Sequence, residues 1–395
     1  MRINTVRLKF DLHGIRSRKF LFATSVLLII VLVFSCIFFA VNNASYVMTK
    51  TSEVNLREEV NNAVGPTVIT LDSDVELTEP FIIPAGKNIT LTSNDREKGF
   101  YRLMGASNKS TIVVDGVLRL DGVIVTHEKG VYGHGVVVNF NSTFILYNGM
   151  ICNNTMPDGN MIPNEEWGGG VVNWGVFIMR GGEISSNTAY TGGGVLNYGT
   201  FEMIGGKISG NTVGTGGDVY DHDMVNLSGG CSGGGVFNFY GDVSISGGEI
   251  SNNVAGFYGG GVFSVYGRFS LSGDGVISGN IADIGGGVSN RWGNVSMSGG
   301  VISGNVAENK GGGVHNYYMF SSFSLSGGKI SNNTAPLGGG VCSDDEFTMK
   351  GGEISNNTAN TGGGVYVGNG SFNQFGGKIY GNIASQVGDD IFHQK

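Results

Sequence analysis

Two clusters of acidic side chains are the groups in this sequence best placed to move protons or hold a cation. Asp218, Asp221, His222 and Asp223 form the first, and Asp344, Asp345 and Glu346 form the second. Cleaving a polysaccharide requires carboxylates that converge, helped by an Arg or Lys base or by Ca²⁺. On the coil spacing derived below, about four coils separate the clusters, roughly 20 Å, which is too far for one acid/base pair. The first cluster alone is a candidate cation site, with a solvated loop as the plainer reading. Glu165-Glu166-Trp167 is a weaker group of the same kind, and His134 and His315 have no acidic partner close in sequence. The calcium-binding nonapeptide pattern and the nucleophilic motifs are absent. The Gly triplets are too numerous and regular to be phosphate loops, so neither a metal nor a cofactor is expected.

A second constellation is aromatic. Trp174, Tyr198, Tyr240, Tyr266 and Trp292 each stand just before a turn glycine, and Tyr317 or Tyr318 continues the series. Stacked on successive coils, such rings stabilise a solenoid directly. The functional alternative is a flat aromatic strip with an acidic rim on which sugar rings stack.

These residues are positioned by a repeat. From Ile151 onward the chain reiterates G-G-x-I-S-x-N-x-A-x-x-G-G-G-V-x-N, followed by an aromatic-Gly corner and a short alternating piece. Ile184, Ile208, Ile250, Ile277, Ile302, Ile330, Ile354 and Ile379 recur at spacings of 24, 42, 27, 25, 28, 24 and 25, and an Asn always follows three residues later. The spacing of 42 marks an insertion around 218–231. Pieces such as Phe201-Glu202-Met203 and Phe347-Thr348-Met349 alternate with period two, which is the pattern of a strand with one buried and one wet face. No piece is long enough for a helix. Three short strands in about 25 residues make one turn of a parallel β-helix, whose coils bury their inward side chains only against neighbours. The predicted class is therefore all-β: a right-handed parallel β-helix of about 12 coils over 65–395.

The composition agrees with this class. The 70 glycines follow no G-X-Y period, and an apolar fraction of 40% excludes a disordered linker. The recurring Asn suits a left-handed turn residue, and identical Asn side chains on adjacent coils form hydrogen-bonded ladders. Before each Ile the series Glu183, Lys207, Glu249 and then Lys329, Glu353, Lys378 alternates in sign, which favours one coil register. Cys36, Cys152, Cys231 and Cys342 show no paired spacing, so disulfides are not expected to hold the fold. Asn55-Leu56-Arg57-Glu58 reads as a capping box opening a short helix over 55–64, the lid of the first coil, within a linker-and-cap region 42–64. At the other end, Asp389 and Asp390 place charge on the last strand edge.

Residues 20–41 are apolar and uncharged, and six Lys or Arg against one Asp precede them in a basic tail, 1–19. A single-pass signal anchor is expected, with the tail cytoplasmic and the β-helix outside the cell. A cleaved signal peptide, releasing a secreted protein, is the alternative. Beyond this segment 18 basic residues face 31 acidic ones, a balance that disfavours nucleic acid as a partner. Ten N-x-S/T sequons leave surface glycosylation open.

The string I-S-x-N-x-A-x-x-G-G-G-V resembles the repeat of chlamydial polymorphic outer-membrane proteins, whose hallmarks are F-x-x-N and G-G-A-[ILV]. Here Ile stands for Phe and the third Gly for Ala. The pattern is also similar to that of adhesin-like β-helix proteins of archaeal and bacterial surfaces, across roughly residues 120–392. The resemblance implies a pectin-lyase-like right-handed β-helix at the cell surface, with adhesion as the usual assignment. No autotransporter barrel follows the repeats up to Lys395, so attachment is expected through the N-terminal segment. The expected function is surface binding of glycans or other ligands. The alternative is a polysaccharide lyase or glycoside hydrolase on the same scaffold, centred on 218–223.

Overall fold

The computed structural model describes residues 46–48, 52–94, 99–156, 168–214, 219–220, 226–227 and 231–394. Short strands of the described chain wind into a parallel β-solenoid of about 11 turns. Two sheets run along it: one of 21 strands, formed mostly by two consecutive pieces of each coil, and one of 12 strands, formed by the G-V-x-N piece. Twelve rungs in the second sheet enclose about 11 turns, because the last rung, Ile391–His393, closes on Val365–Val367 without starting another coil.

The register follows from the inward side chains. In the first sheet Phe177, Phe201, Val243, Phe269, Val295, Phe323 and Phe347 occupy one inward column on successive coils. Stacked pairs such as Phe177–Phe201 (4.7 Å) and Phe323–Phe347 (4.8 Å) keep the interstrand distance. The repeat Ile residues form a second column, and Val171, Val195, Val236, Val262, Val288, Val314, Val341 and Val365 a third; all but the partly buried Ile379 at the end are essentially inaccessible to solvent.

Polar order inside this apolar bore comes from asparagine. Asn253 Oδ1 accepts from both the backbone N–H (3.0 Å) and the Nδ2 (2.9 Å) of Asn211 on the preceding coil. Its own Nδ2 donates to Asn280 Oδ1 (3.0 Å) and to the carbonyl of Ile208 (3.0 Å). Both lone pairs and both N–H groups of the carboxamide are thus used, and the pattern repeats from Asn154 to Asn382. The left-handed residue is not this Asn but the one before it: Asn153, Ser186, Asn252, Asn332 and Asn356 lie at φ 54 to 57, with glycine in the other coils. Side chains there point to solvent, while the ladder Asn keeps its side chain inside. Shorter Asn series in the second sheet, such as Asn173–Asn197–Asn238, link by 2.7 and 2.8 Å bonds.

The Gly triplets exist because coils approach too closely for a Cβ. A side chain on Gly193 would meet the carbonyl oxygen of Gly234 at 2.8 Å, and one on Gly194 that of Gly235 at 2.5 Å. Gly192, at φ 58, makes the preceding turn.

Both ends are capped. Asn382 has no following Asn, and Asp390 Oδ1 takes that place, accepting from Asn382 Nδ2 at 2.9 Å. At the start, the helix spans Glu53–Asn62 with Ser52, not Asn55, as N-cap, because the Ser52 hydroxyl accepts from Asn55 N–H. Its Leu56 and Val60 are buried in the core, and Glu53 ties it to Arg57 and Thr78, which holds the Glu53 carboxyl down at about 2 against the opposing effect of burial. In the charge ladder Lys329 pairs with Glu353 at 2.8 Å and Lys207 with Glu249 at 3.7 Å, while Glu183 accepts from Ser209. Cys152 and Cys342 are in no disulfide. No described helix is long and apolar enough to cross a membrane, and residues 1–19 and 20–41 lie outside the described residues.

Two outcomes are expected from these packing arguments. Asn280→Ala leaves the N–H and Nδ2 of Asn253 without an acceptor inside the bore at about 1–3 kcal/mol each, so denaturant unfolding should show a loss of at least about 2 kcal/mol, whereas Asp390→Asn, which keeps the capping acceptor, should be near neutral. The second concerns acid. Burial holds His134 down at about 4, despite its bond to the Gly168 carbonyl. The unfolded chain therefore binds the extra proton first, and stability contributed by neutral His134 is complete above about pH 6.5 and lost as pH falls toward 4. Replacing His134 with Gln should flatten the acid limb of the stability curve in that window.

Candidate functional site

The aromatic residues singled out in the sequence gather along one corner, in two columns rather than one. Alternation turns the residue after the inward Asn of the second sheet outward, and this places Trp174 and Tyr198 face to face at 3.8 Å with planes 2° apart. In later coils an additional residue enters. Asn197-Tyr198-Gly199 is followed in register by Asn238-Phe239-Tyr240-Gly241. Phe239, Val265, Arg291 and Tyr317 then occupy consecutive rungs of the outward column. The additional residue adopts the left-handed conformation: Tyr240, Tyr266 and Trp292 lie at φ 58, 55 and 53. They form a second column stacked at 4.9 and 4.8 Å, with Tyr318, not Tyr317, continuing it against Trp292 at 4.7 Å.

Left-handed backbone at a bulky residue costs of order 1–3 kcal/mol, and each stacked pair returns about 0.5–1.5 kcal/mol. The two nearly cancel. From Phe140, 69% exposed, to Tyr318 the ridge crosses seven coils, roughly 30 Å at the interstrand spacing; Phe320, 86% exposed, lies two residues beyond Tyr318. The inner rings of the ridge turn their flat faces to one another and their edges to solvent. A sugar ring seeking an aromatic face therefore finds one only at the terminal rings. Arg291 is buried beneath the ridge, its guanidinium 4.0 Å from the Trp292 ring centre and 4.8 Å from that of Tyr318.

Beside the ridge runs another outward column of the second sheet: Val137, Val172, Leu196, Phe237, Phe263, Ser289, His315, Cys342 and Tyr366. Although outward, these side chains are buried. The column is apolar in its first half and polar thereafter. His315 and Cys342 are neighbours, and Asp344, one residue past the end of the Cys342 strand, reaches within 3.6 Å of the His315 Nε2. Lys310 Nζ stands 3.5 Å from the same carboxylate oxygen. Burial lowers the pKa of His315 and raises that of Cys342; Asp344 is also raised by burial, but His315 and Lys310 outweigh this and hold it low. His315 thus gains the acidic partner that its sequence neighbourhood lacks.

The other acids disperse. Asp345 accepts from Ser321 N–H at 2.8 Å, and Glu346 is exposed beside Thr348. Asp218, Asp221, His222 and Asp223, like Glu165, Glu166 and Trp167, lie outside the described residues; within the insertion, Val219–Tyr220 pairs antiparallel with Asn226–Leu227. A shallow hollow of about 280 Å³ on the first sheet is lined by one acid, Asp242, which Arg268 grips through two bonds of 2.8 and 2.6 Å. The chain matches no known protein family, no curated protein and no solved structure.

Tyr266→Asn exchanges two stacking contacts for relief of backbone strain, and its unfolding midpoint should stay close to the parent's. Tyr266→Val loses the same contacts and places a β-branched residue at positive φ, so it should cost a further ~1–2 kcal/mol. Equal stabilities for the two variants would show that the corner is not held left-handed.

Proposed function

We propose that this protein is a non-enzymatic, adhesin-like or structural solenoid that binds extended surface ligands, glycans first among them, along its aromatic ridge. The observation that carries the reading is the second aromatic column. At other left-handed corners the chain uses Gly, Asn or Ser, yet here the four aromatics Tyr240, Tyr266, Trp292 and Tyr318, and Phe320 just beyond them, lie at positive φ and hold an apolar edge at the surface. Exposed aromatic patches of this kind favour interaction sites, and Tyr and Trp suit a surface that is apolar in body and wet at the tip. Because the inner rings offer edges and hydroxyls, a ligand chain would lie along the ridge, with its sugars stacking at Phe140 and Phe320.

The lyase or hydrolase alternative has less support. The hollow on the first sheet has no second carboxylate, and its Asp242 is already neutralised by Arg268. We further propose a right-handed winding of the pectin-lyase-like type, since parallel crossovers are right-handed in nearly all proteins. Residues 20–41 would tether the chain to a membrane with the solenoid outside.

The test is a glycan array probed with residues 43–395, run beside a turnover assay on acidic polysaccharides. Tyr240→Ala with Phe320→Ala, both at exposed rings, should reduce retention at least tenfold while the melting curve moves little. Trp174→Ala with Trp292→Ala should add a stability loss. Product release without array binding would reverse the assignment, and loss of stability without loss of binding would leave the ridge purely structural.

A further inference from the structure

The outward column beside the ridge changes from apolar to polar after Phe263, and the change ends in three donor groups that a metal ion can use together. Residues in register on adjacent rungs share a face. Asp344 follows the strand of Cys342 by one residue past its end, and His315 lies directly beside Cys342 on the adjacent rung. One donor atom from each lies within 4.8 Å of the others. His315 is 1% exposed, and neither its Nδ1 nor its Nε2 has a partner at hydrogen-bond distance; Nε2 faces Asp344 Oδ2 at 3.6 Å, an oxygen that Lys310 Nζ approaches at 3.5 Å. Buried imidazole nitrogens without partners are costly and uncommon, so they call for an occupant that the side chains themselves do not supply.

We propose that His315, Cys342 and Asp344 form a binding site for a divalent transition-metal ion, with Zn²⁺ the ion that this donor set fits best. Imidazole nitrogen, thiolate sulfur and carboxylate oxygen are the three ligand types of zinc sites, and three protein ligands leave one coordination position open. Ca²⁺ and Mg²⁺, which take oxygen donors, are not matched by this set. Metal–ligand bonds of about 2.0–2.3 Å require the three groups to draw together by roughly an ångström. Glycines pack against all three ligands, Gly311 and Gly338 being the turn glycines that recur at this position from coil to coil. Gly311 and Gly338 lie against His315 and Cys342, where a Cβ would come within 2.7 Å of His315 Cβ and 2.8 Å of Cys342 Cα. A Cβ on Gly368 would collide with Asp344 Oδ1. Tyr317 packs beside the His315 ring at 5.3 Å, and the Tyr366 hydroxyl is engaged with Gln394 at 2.7 Å, so it does not compete as a donor.

The way in is past Asp344, whose side chain is 12% exposed, and past Lys310, whose side chain is 31% exposed. Lys310 occupies the carboxylate from the solvent side, and an arriving cation displaces it. Binding removes a proton from the Cys342 thiol and therefore releases acid. The ion would cross-link adjacent coils at a point where the outer apolar packing of the earlier coils has ended.

Co²⁺ is the probe, because a thiolate bound to it gives a charge-transfer band in the near ultraviolet. The full chain should take up one equivalent of Co²⁺ with that band, and Zn²⁺ should displace it. Cys342→Ser should abolish the band and His315→Gln weaken binding at least a hundredfold. Asp344→Asn, at the more accessible ligand, should weaken it about tenfold and serves where the buried variants fail to fold. Lys310→Gln should tighten binding, and Cys152→Ser should leave it unchanged. Co²⁺ uptake without a thiolate band, a band that survives Cys342→Ser, or affinity indifferent to Asp344→Asn would each overturn the proposal.

Discussion

The carboxamide relay from Asn154 to Asn382 is the interaction on which the rest of the solenoid depends. Inside an apolar bore an amide has no water to fall back on, so each Asn must find its partners on the coils before and after it. Only another Asn in the same column supplies an acceptor for two N–H groups and a donor in the right direction. One coil slipped by a single residue would move its Asn to the outer face and leave the N–H and Nδ2 of the preceding Asn without an acceptor. Hydrophobic columns resist a one-residue slip as well, but they are less particular about slips of two, which keep an apolar face inward. The relay does not tolerate them, and it fixes the register that the Phe, Ile and Val columns then fill.

A register fixed from within frees the outside. The backbone of the second sheet is the same from coil to coil, yet its outward column runs from Val172 and Leu196 through Phe237 and Phe263 to Ser289, His315 and Cys342. Insertions are tolerated on the same terms. The one added residue at Tyr240 is absorbed by a left-handed turn, and the longer insertion around 218–231 leaves Asn197 and Asn238 bonded at 2.8 Å across it. Fold and surface chemistry are thereby carried by separate positions of the same repeat.

This separation explains what could be read from the sequence. Inward positions repeat, so the parallel solenoid, its Gly corners, the Asn ladder and the lid helix were all legible, with an error of about one turn and a shift of the N-cap from Asn55 to Ser52. The left-handed position was misplaced by one, because Asn occupies both that column and the ladder beside it, and only burial tells Asn356 from Asn357. The aromatic corner was legible as a series but not as two columns. The signal was present in the spacing: N-x-G at Asn173 and Asn197 becomes N-x-x-G at Asn238 and Asn290. Asp344 and His315 were noted separately, but their meeting with Cys342 was missed because the three are dispersed in sequence and repeat nowhere. Aligning G-V-H-N with G-V-C-S-D would have set His315 beside Cys342, with Asp344 close behind.

The two surface features also differ in what sustains them. In the ridge, the strain of Tyr240, Tyr266 and Trp292 is offset by their stacking on one another, so the aromatic column stabilises itself and needs no ligand to persist. The polar cluster has no such compensation. His315 keeps both ring nitrogens without a partner at hydrogen-bond distance, beside a carboxylate shared with Lys310, in a column where Val172 and Leu196 show that an apolar side chain fits. An apolar residue at 315 would remove the desolvation cost of the imidazole with no change to the backbone, so stability alone does not account for the residue that stands there. Of the two features, the smaller and less regular one therefore makes the stronger physical case for a bound partner.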